Sequence, residues 1–173
     1  MFTPMRRRVA CVLLACGSIA LAQALPEFKS GKSDSPLSES SPQATDAEVK
    51  ARLRLPDPIP AYDPSAEKFE LTVPEGYSHD KPWGLLVWIS SGDKPGVPAG
   101  WEDVLAKHKM LTASPYKAGG GRNANDRFRI ASDIVHNLRK RFNIDPKRVY
   151  VAGAGAGGKI ASIAAVAWSD VFV

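Results

Sequence analysis

Between Lys68 and Val73 the chain alternates, with Phe69, Leu71 and Val73 on one side and Lys68, Glu70 and Thr72 on the other. That is the period of a strand with one wet face, and Pro74-Glu75-Gly76 closes it. Gly84–Ser90, GLLVWIS, is a continuous apolar run of strand length, the pattern of a strand buried on both faces. The glycines and prolines of SSGDKPGVPAG predict a loop. Trp101, Val104, Leu105 and His108 then fall on one helical face, and MLTASPY is a short strand followed by the loop KAGGGRNAN.

Phe128, Ala131, Ile134, Val135, Leu138 and Phe142 mark one face of a longer helix, with Asn125 or Asp126 as its N-cap and Asp145-Pro146 as its stop. RVYVAG is the next buried strand, and Gly158 to Trp168 the next helix. Strands alternating with helices predict an α/β protein with a mainly parallel sheet flanked by helices. Such sheets receive ligands at the carboxyl ends of their strands.

The start of the chain has another character. Arg6, Arg7 and Arg8 precede an apolar run from Val9 to Leu21, and Ala22-Gln23-Ala24 places small residues where a signal peptidase reads. Residues 1–24 are therefore expected to be a signal peptide, with export to the periplasm or the outside. The alternatives are an uncleaved amphipathic start, or lipoprotein anchoring through Cys16, since Leu13-Leu14-Ala15-Cys16 resembles a lipobox. The apolar run continuing to Leu21 weighs against the anchor, and it is short for a membrane span.

This segment changes what composition implies. The 173-residue chain has a formal net charge of +5. Without residues 1–24, 20 basic residues face the same 18 acidic ones, a net of +2. The basic character is mostly targeting signal, and a nucleic-acid partner is not expected. Cys11 and Cys16 leave too, so the mature chain is expected to have no disulfide, thiol nucleophile or cysteine metal site. Residues 25–61 read as a Ser/Pro-rich flexible linker, with Thr45-x-x-Glu48 capping a short helix that PDPIP ends. The folded part is expected over 62–173.

The chemistry centres on VYVAGAGAGGKIAS, Val149 to Ser162. Gly153, Gly155 and Gly158 fit a dinucleotide fingerprint, Gly153 through Lys159 fit most of a phosphate loop, and Gly153 with Gly157 fit the outer glycines of a nucleophile elbow. The phosphate loop fails at Ile160, where a magnesium-binding hydroxyl belongs. The dinucleotide reading lacks a following strand with an acid near its end, since Asp170 precedes Val171-Phe172-Val173. The elbow has the right context of strand, turn and helix, but position 155 carries no hydroxyl.

From about Tyr62 onward the chain resembles the secreted α/β-hydrolase esterases of the polyhydroxybutyrate-depolymerase-like and feruloyl-esterase-like group. The resemblance covers about two thirds of the chain and rests on FELTVPEGY, GLLVWIS, DIVHNLRKRFNIDPKRVYVAG and GGKIAS. It implies an α/β-hydrolase fold and a carboxylic-ester hydrolase ancestry. Members read G-x-S-x-G-G at the turn, whereas this chain reads Gly153-Ala154-Gly155-Ala156-Gly157-Gly158. No catalytic serine is carried over.

The acid and histidine of such enzymes follow the serine in chain order, and no histidine follows Gly155. His79 reads as a loop residue, His108 as a helix end and His136 as structural. The resemblance leaves the backbone half of the site, with the N–H groups of Ser91 and Ala156 as oxyanion-type donors. Ser162 reads as packing, Arg139-Lys140-Arg141 as a solvated helix end, and no cluster has metal-ligand spacing. DVFV stands where the family enters its next strand, so the chain reads as a truncated domain lacking the C-terminal strands.

Three functions follow. The first is an exported esterase homologue, inactive as this chain. The second is a non-catalytic module holding an ester, acid or glycan. The third is half of a split esterase, completed by another polypeptide or accompanied by self-association. No cofactor is expected in any of them.

Overall fold

The structure is a computed structural model that describes residues 28–56 and 58–173. The expected signal, with Cys16, lies outside the described residues. No helix among the described residues is long and apolar enough to cross a membrane.

Among the described residues, five strands form one mixed sheet: β1 (Gly31–Pro36), β2 (Lys68–Val73), β3 (Trp83–Ile89), β4 (Met110–Pro115) and β5 (Ile144–Gly153), in the order β1-β2-β4-β3-β5. β3 is parallel to both neighbours, β4 and β5, while β1/β2 and β2/β4 are antiparallel. This is the partial α/β-hydrolase architecture, with the parallel character concentrated in the half of the sheet that carries the glycine turn. β3 is buried at every position, as its unbroken apolar run requires. β2 turns Phe69, Leu71 and Val73 inward.

The α-helices of the described residues that flank the sheet are α1 (Asp46–Leu53), α2 (Trp101–Lys107), α3 (Ala124–Arg141) and α4 (Ala156–Ala167). Ile130, Ile134 and Leu138 of α3, with Ile160 and Ala164 of α4, form one core with Leu85, Val87 and Ile89 of β3. α2 lies over the opposite face, where Trp101 meets Trp88 edge-on at 5.2 Å.

Several elements depart from the sequence expectation. α3 starts before Asn125, because the Asn123 side chain caps it by accepting from the Asn125 N–H at 2.8 Å. α4 starts at Ala156, two residues before Gly158. β5 begins before the Asp145-Pro146 stop and runs through it. Its proline sits near the start of an edge strand, where a missing N–H removes no ladder bond. α2 buries none of its residues, and Trp101 and Val104 stay 43% and 54% exposed. Its apolar face is only partly covered: Trp101 leans on Trp88 and Leu105 is half-buried, while Val104 faces outward.

The largest departure is in the segment read as linker. Gly31–Pro36 pairs with β2 along its whole length, and the residues after it are fastened across α3. Ser38 donates from N–H and Oγ to Asn137 Oδ1 at 2.9 and 2.5 Å, Ser41 N–H donates to Asp133 Oδ1 at 2.5 Å, and Arg129 donates to Asp46 Oδ1 at 2.6 Å. Thr45 caps α1 through the Glu48 N–H. A composition rich in serine and proline can order this way because its polar groups find partners on one helix instead of a core of their own. The last residues pack similarly: Trp168, Val171 and Phe172 are buried, and the Val173 N–H donates to Val149 O at 2.9 Å.

Candidate functional site

The carboxyl ends of β3, β4 and β5 bring three loops together. After β3, the Ser91 carbonyl accepts from Gly120 N–H at 3.0 Å, and the Asp93 carbonyl accepts from Lys117 N–H at 2.9 Å. Asp93 Oδ1 also accepts from Gly119 N–H at 3.2 Å. After β5, the Ala154 N–H donates to Ile89 O at 3.3 Å, which holds the glycine turn against the end of β3.

Close approach explains two of the glycines. A Cβ at Gly157 would stand 1.9 Å from the Ile89 carbonyl oxygen, and one at Gly153 would stand 2.5 Å from the same atom. Neither position admits a side chain without moving backbone. Gly155 differs. It adopts φ 51° and ψ −122°, a left-handed backbone region that costs a residue with a side chain roughly 1–3 kcal/mol. A Cβ there would meet one atom within 4 Å, Ser91 Cβ at 3.3 Å. The turn thus has the sharp form of a nucleophile elbow, with space for a side chain at its apex and none present.

Ala156 is the first residue of α4, and α4 has neither a side-chain N-cap bond nor an acid in its first turn. Its leading N–H groups have no partner within the helix. Ser91 is exposed beside Gly155, and Ala156 lies against Gly120. The two residues expected to offer backbone donors therefore flank the apex of the turn.

The histidines are elsewhere. His108 ends α2, just before β4 begins at Met110, and accepts through its carbonyl from Arg148 at 2.6 Å. His79 packs on Phe28 at 4.6 Å, and its carbonyl accepts from Asn143 Nδ2 at 2.6 Å. Asn143 in turn bonds Trp83, the first residue of β3. Both thus sit at the amino end of the parallel strands, opposite the elbow. His136 lies midway along α3, 3.7 Å from Glu39. Ser162 donates to Lys159 O within α4 at 3.0 Å. Arg139, Lys140 and Arg141 are exposed at the end of α3. Among the described residues, no group of three His, Cys, Asp or Glu side chains is placed to hold a metal ion.

Beside the elbow, a cleft of about 550 Å³ opens between the first turns of α3 and α4, with Leu53 and Leu55 on its far side. Gly120 and Ala156 belong to its wall, and so does Arg127. Arg127 is only 4% exposed, and sequence reasoning did not single it out. The signal was its position directly before core residue Phe128, with no acid at 123, 124, 130 or 131 to pair with it along the helix.

No protein-family model and no curated protein matches the chain. Solved structures do. An acetyl xylan esterase from Aspergillus awamori aligns with a TM-score of 0.53 and 14% identity over 64% of this chain. A putative dipeptidyl aminopeptidase IV from Bacteroides ovatus aligns at 0.52 with 15% identity over 61% of it. A prolyl endopeptidase structure aligns at 0.51 with 15% identity over 61%. The chain spans 45% of the length of the first of these and 18% of each of the other two. At such identities the likeness shows the fold alone, an α/β-hydrolase-type sheet with flanking helices.

Proposed function

We propose that this chain is an exported carboxylic-ester hydrolase homologue that binds at its elbow without cleaving. One observation carries the reading: Gly155 holds the positive-φ conformation of an elbow apex, and its position offers neither hydroxyl nor thiol. Acyl transfer in this fold needs a nucleophile there and a base beside it. None of the three histidines stands near the turn. What remains is a pair of backbone donors, the N–H groups of Ser91 and Ala156, suited to the carbonyl or carboxylate oxygen of an ester, an acid or a glycan substituent.

The test is a hydrolysis assay with p-nitrophenyl acetate and butyrate. The purified chain should release p-nitrophenol no faster than a heat-treated control. Robust turnover that disappears on changing one residue of the chain would overturn the reading.

A further inference from the structure

The cleft beside the elbow has an electrostatic property that the fold does not account for. Arg127 lines it, is 4% exposed and has no acidic partner among the described residues. Its Nε is buried without a hydrogen-bond partner, and its one hydrogen bond, from Nη2 to Ser90 O, is stretched to 3.5 Å. Burial pushes its pKa down, and no acid among the described residues opposes that. Removing a charge from water without a partner is unfavourable, and buried charges in folded chains are paired.

The neighbouring arginines show what pairing looks like here. Arg122, on the same cleft, is held bidentately by Glu67 at 2.8 and 2.5 Å and also contacts Asp126. Arg129, fully buried two residues along α3, reaches Asp46 at 2.6 Å. Arg127 alone of the three faces the cleft uncompensated. Two further positive features point to the same place. Lys159 lines the cleft, is exposed and has no ion-pair partner among the described residues. The N-terminus of α4, with no side-chain cap and no acid in its first turn, carries the positive end of the helix dipole. Asn125 adds one neutral polar side chain to the lining, and Leu53, Leu55, Phe128, Ile160 and Ile163 give it a mainly apolar wall.

We propose that this cleft binds a carboxylate carrying an apolar tail, with Arg127 as its counter-charge and Lys159 and the first turn of α4 beside it. The inference deepens the reading above and rests on it, since it names the class of acid that is held and not cleaved. One uncompensated buried guanidinium matches one carboxylate, and its fork geometry suits the two oxygens. The apolar wall matches an aryl or alkyl group and gives nothing to a bare inorganic anion.

The experiment is calorimetric titration of the full chain with phenylacetate, its uncharged analogue phenylacetamide, and inorganic phosphate. Phenylacetate should bind at least about tenfold tighter than phenylacetamide. Arg127→Gln should remove most of that advantage while leaving phenylacetamide within about twofold of its parent value. Lys159→Gln, at an exposed position, should weaken phenylacetate by a smaller factor. If Arg127→Gln fails to fold, the Arg127 Nε–H resonance of the parent chain decides: it should shift on adding phenylacetate and stay still with the amide. Equal affinity for acid and amide, an unmoved resonance, or phosphate binding tighter than phenylacetate would each overturn the assignment. Hydrolysis of methyl phenylacetate is read separately. Its cleavage would overturn the catalytic silence proposed above and leave the affinity comparison standing.

Discussion

The Tyr62 hydroxyl donates to Asp133 Oδ2 at 2.7 Å, joining the residue that leads into the first turn before β2 to the middle of α3. The other oxygen of the same buried carboxylate accepts from Ser41 N–H at 2.5 Å and Ser40 Oγ at 3.2 Å. Asp133→Ala would leave the Ser41 N–H and the Tyr62 hydroxyl without an acceptor. A loss of about 2–4 kcal/mol is expected, measured by urea denaturation.

The pH response of this carboxylate has a definite sign. Burial holds Asp133 above its ordinary 3.8, and it outweighs the donors from Ser41, Tyr62 and Ser40, which pull the other way. The folded state then binds the proton more tightly than the unfolded one. Its contribution to stability is present below the ordinary value and is lost as pH rises through the folded one. Asp170 has the opposite sign: the Arg52 hydrogen bonds hold it below 3.8, so its contribution is lost as pH falls. Asp133→Asn should flatten the decline in stability above about pH 4, and Asp170→Asn the decline below it. Denaturation midpoints at about half-unit intervals from about pH 3 to 6 would separate the two. Reversed slopes would refute both assignments.

Glycines 155 and 157 should answer substitution differently. Gly157→Ala drives a Cβ to 1.9 Å from the Ile89 carbonyl and should cost about 4 kcal/mol or more, or prevent folding. Gly155→Ser meets only Ser91 at 3.3 Å and the strain of φ 51°, and should cost roughly 1–3 kcal/mol. It should also remain inactive on p-nitrophenyl esters, because no histidine stands near to activate the hydroxyl. Thermal melts and the ester assay read the two effects independently.

These results mark where periodicity informs and where it stops. β2, β3 and β4 were legible because burial on one or both faces writes itself into the apolar pattern. β1 was not. Its residues, GKSDSP, bury only Ser35 and are held by the ladder to β2, a backbone interaction that leaves no trace in side-chain type. The face of Trp101 and Val104 was legible as apolar, but a period cannot say what covers it. At the site, the glycine turn was visible from spacing, since Gly153 and Gly157 are fixed by contact with Ile89. Arg127 was not, because its significance is the absence of a partner in three dimensions. The buried polar side of α3, with Arg129, Asp133 and Asn137, was hidden because its covering comes from a segment whose composition reads as linker.

Self-association is the next expectation. β5 is an outer strand of the sheet, and Tyr150 on it is 38% exposed. The Val173 N–H occupies the Val149 carbonyl on this edge, and the part of an edge strand left open beyond such a contact can template further pairing. The chain should elute from size-exclusion chromatography at a size that grows with concentration, and Tyr150→Lys should suppress the growth. A concentration-independent monomer would refute this.

Export is tested at the N-terminus. The basic patch, apolar run and Ala22-Gln23-Ala24 predict a mature chain beginning at Leu25. Mass spectrometry of the exported protein should find that end. An intact Met1 on a cytoplasmic product would refute export, and a lipid on Cys16 would favour the anchored form.

The strand order has a kinetic consequence. Leu85 of β3 pairs with Leu111 on one side and with Val149 on the other, so the ladder that supports the elbow joins distant parts of the chain. The chain between β3 and β5 holds α2, β4 and α3, and such non-local pairing is slow to form. The contacts that define the turn, Ala154 N–H to Ile89 O and Gly157 against the same carbonyl, exist only once β5 has docked. The elbow is then among the last features a refolding molecule acquires. In pulsed hydrogen exchange, the Ala154 amide should gain protection after the amides of α3, and protection appearing first at Ala154 would reverse that order.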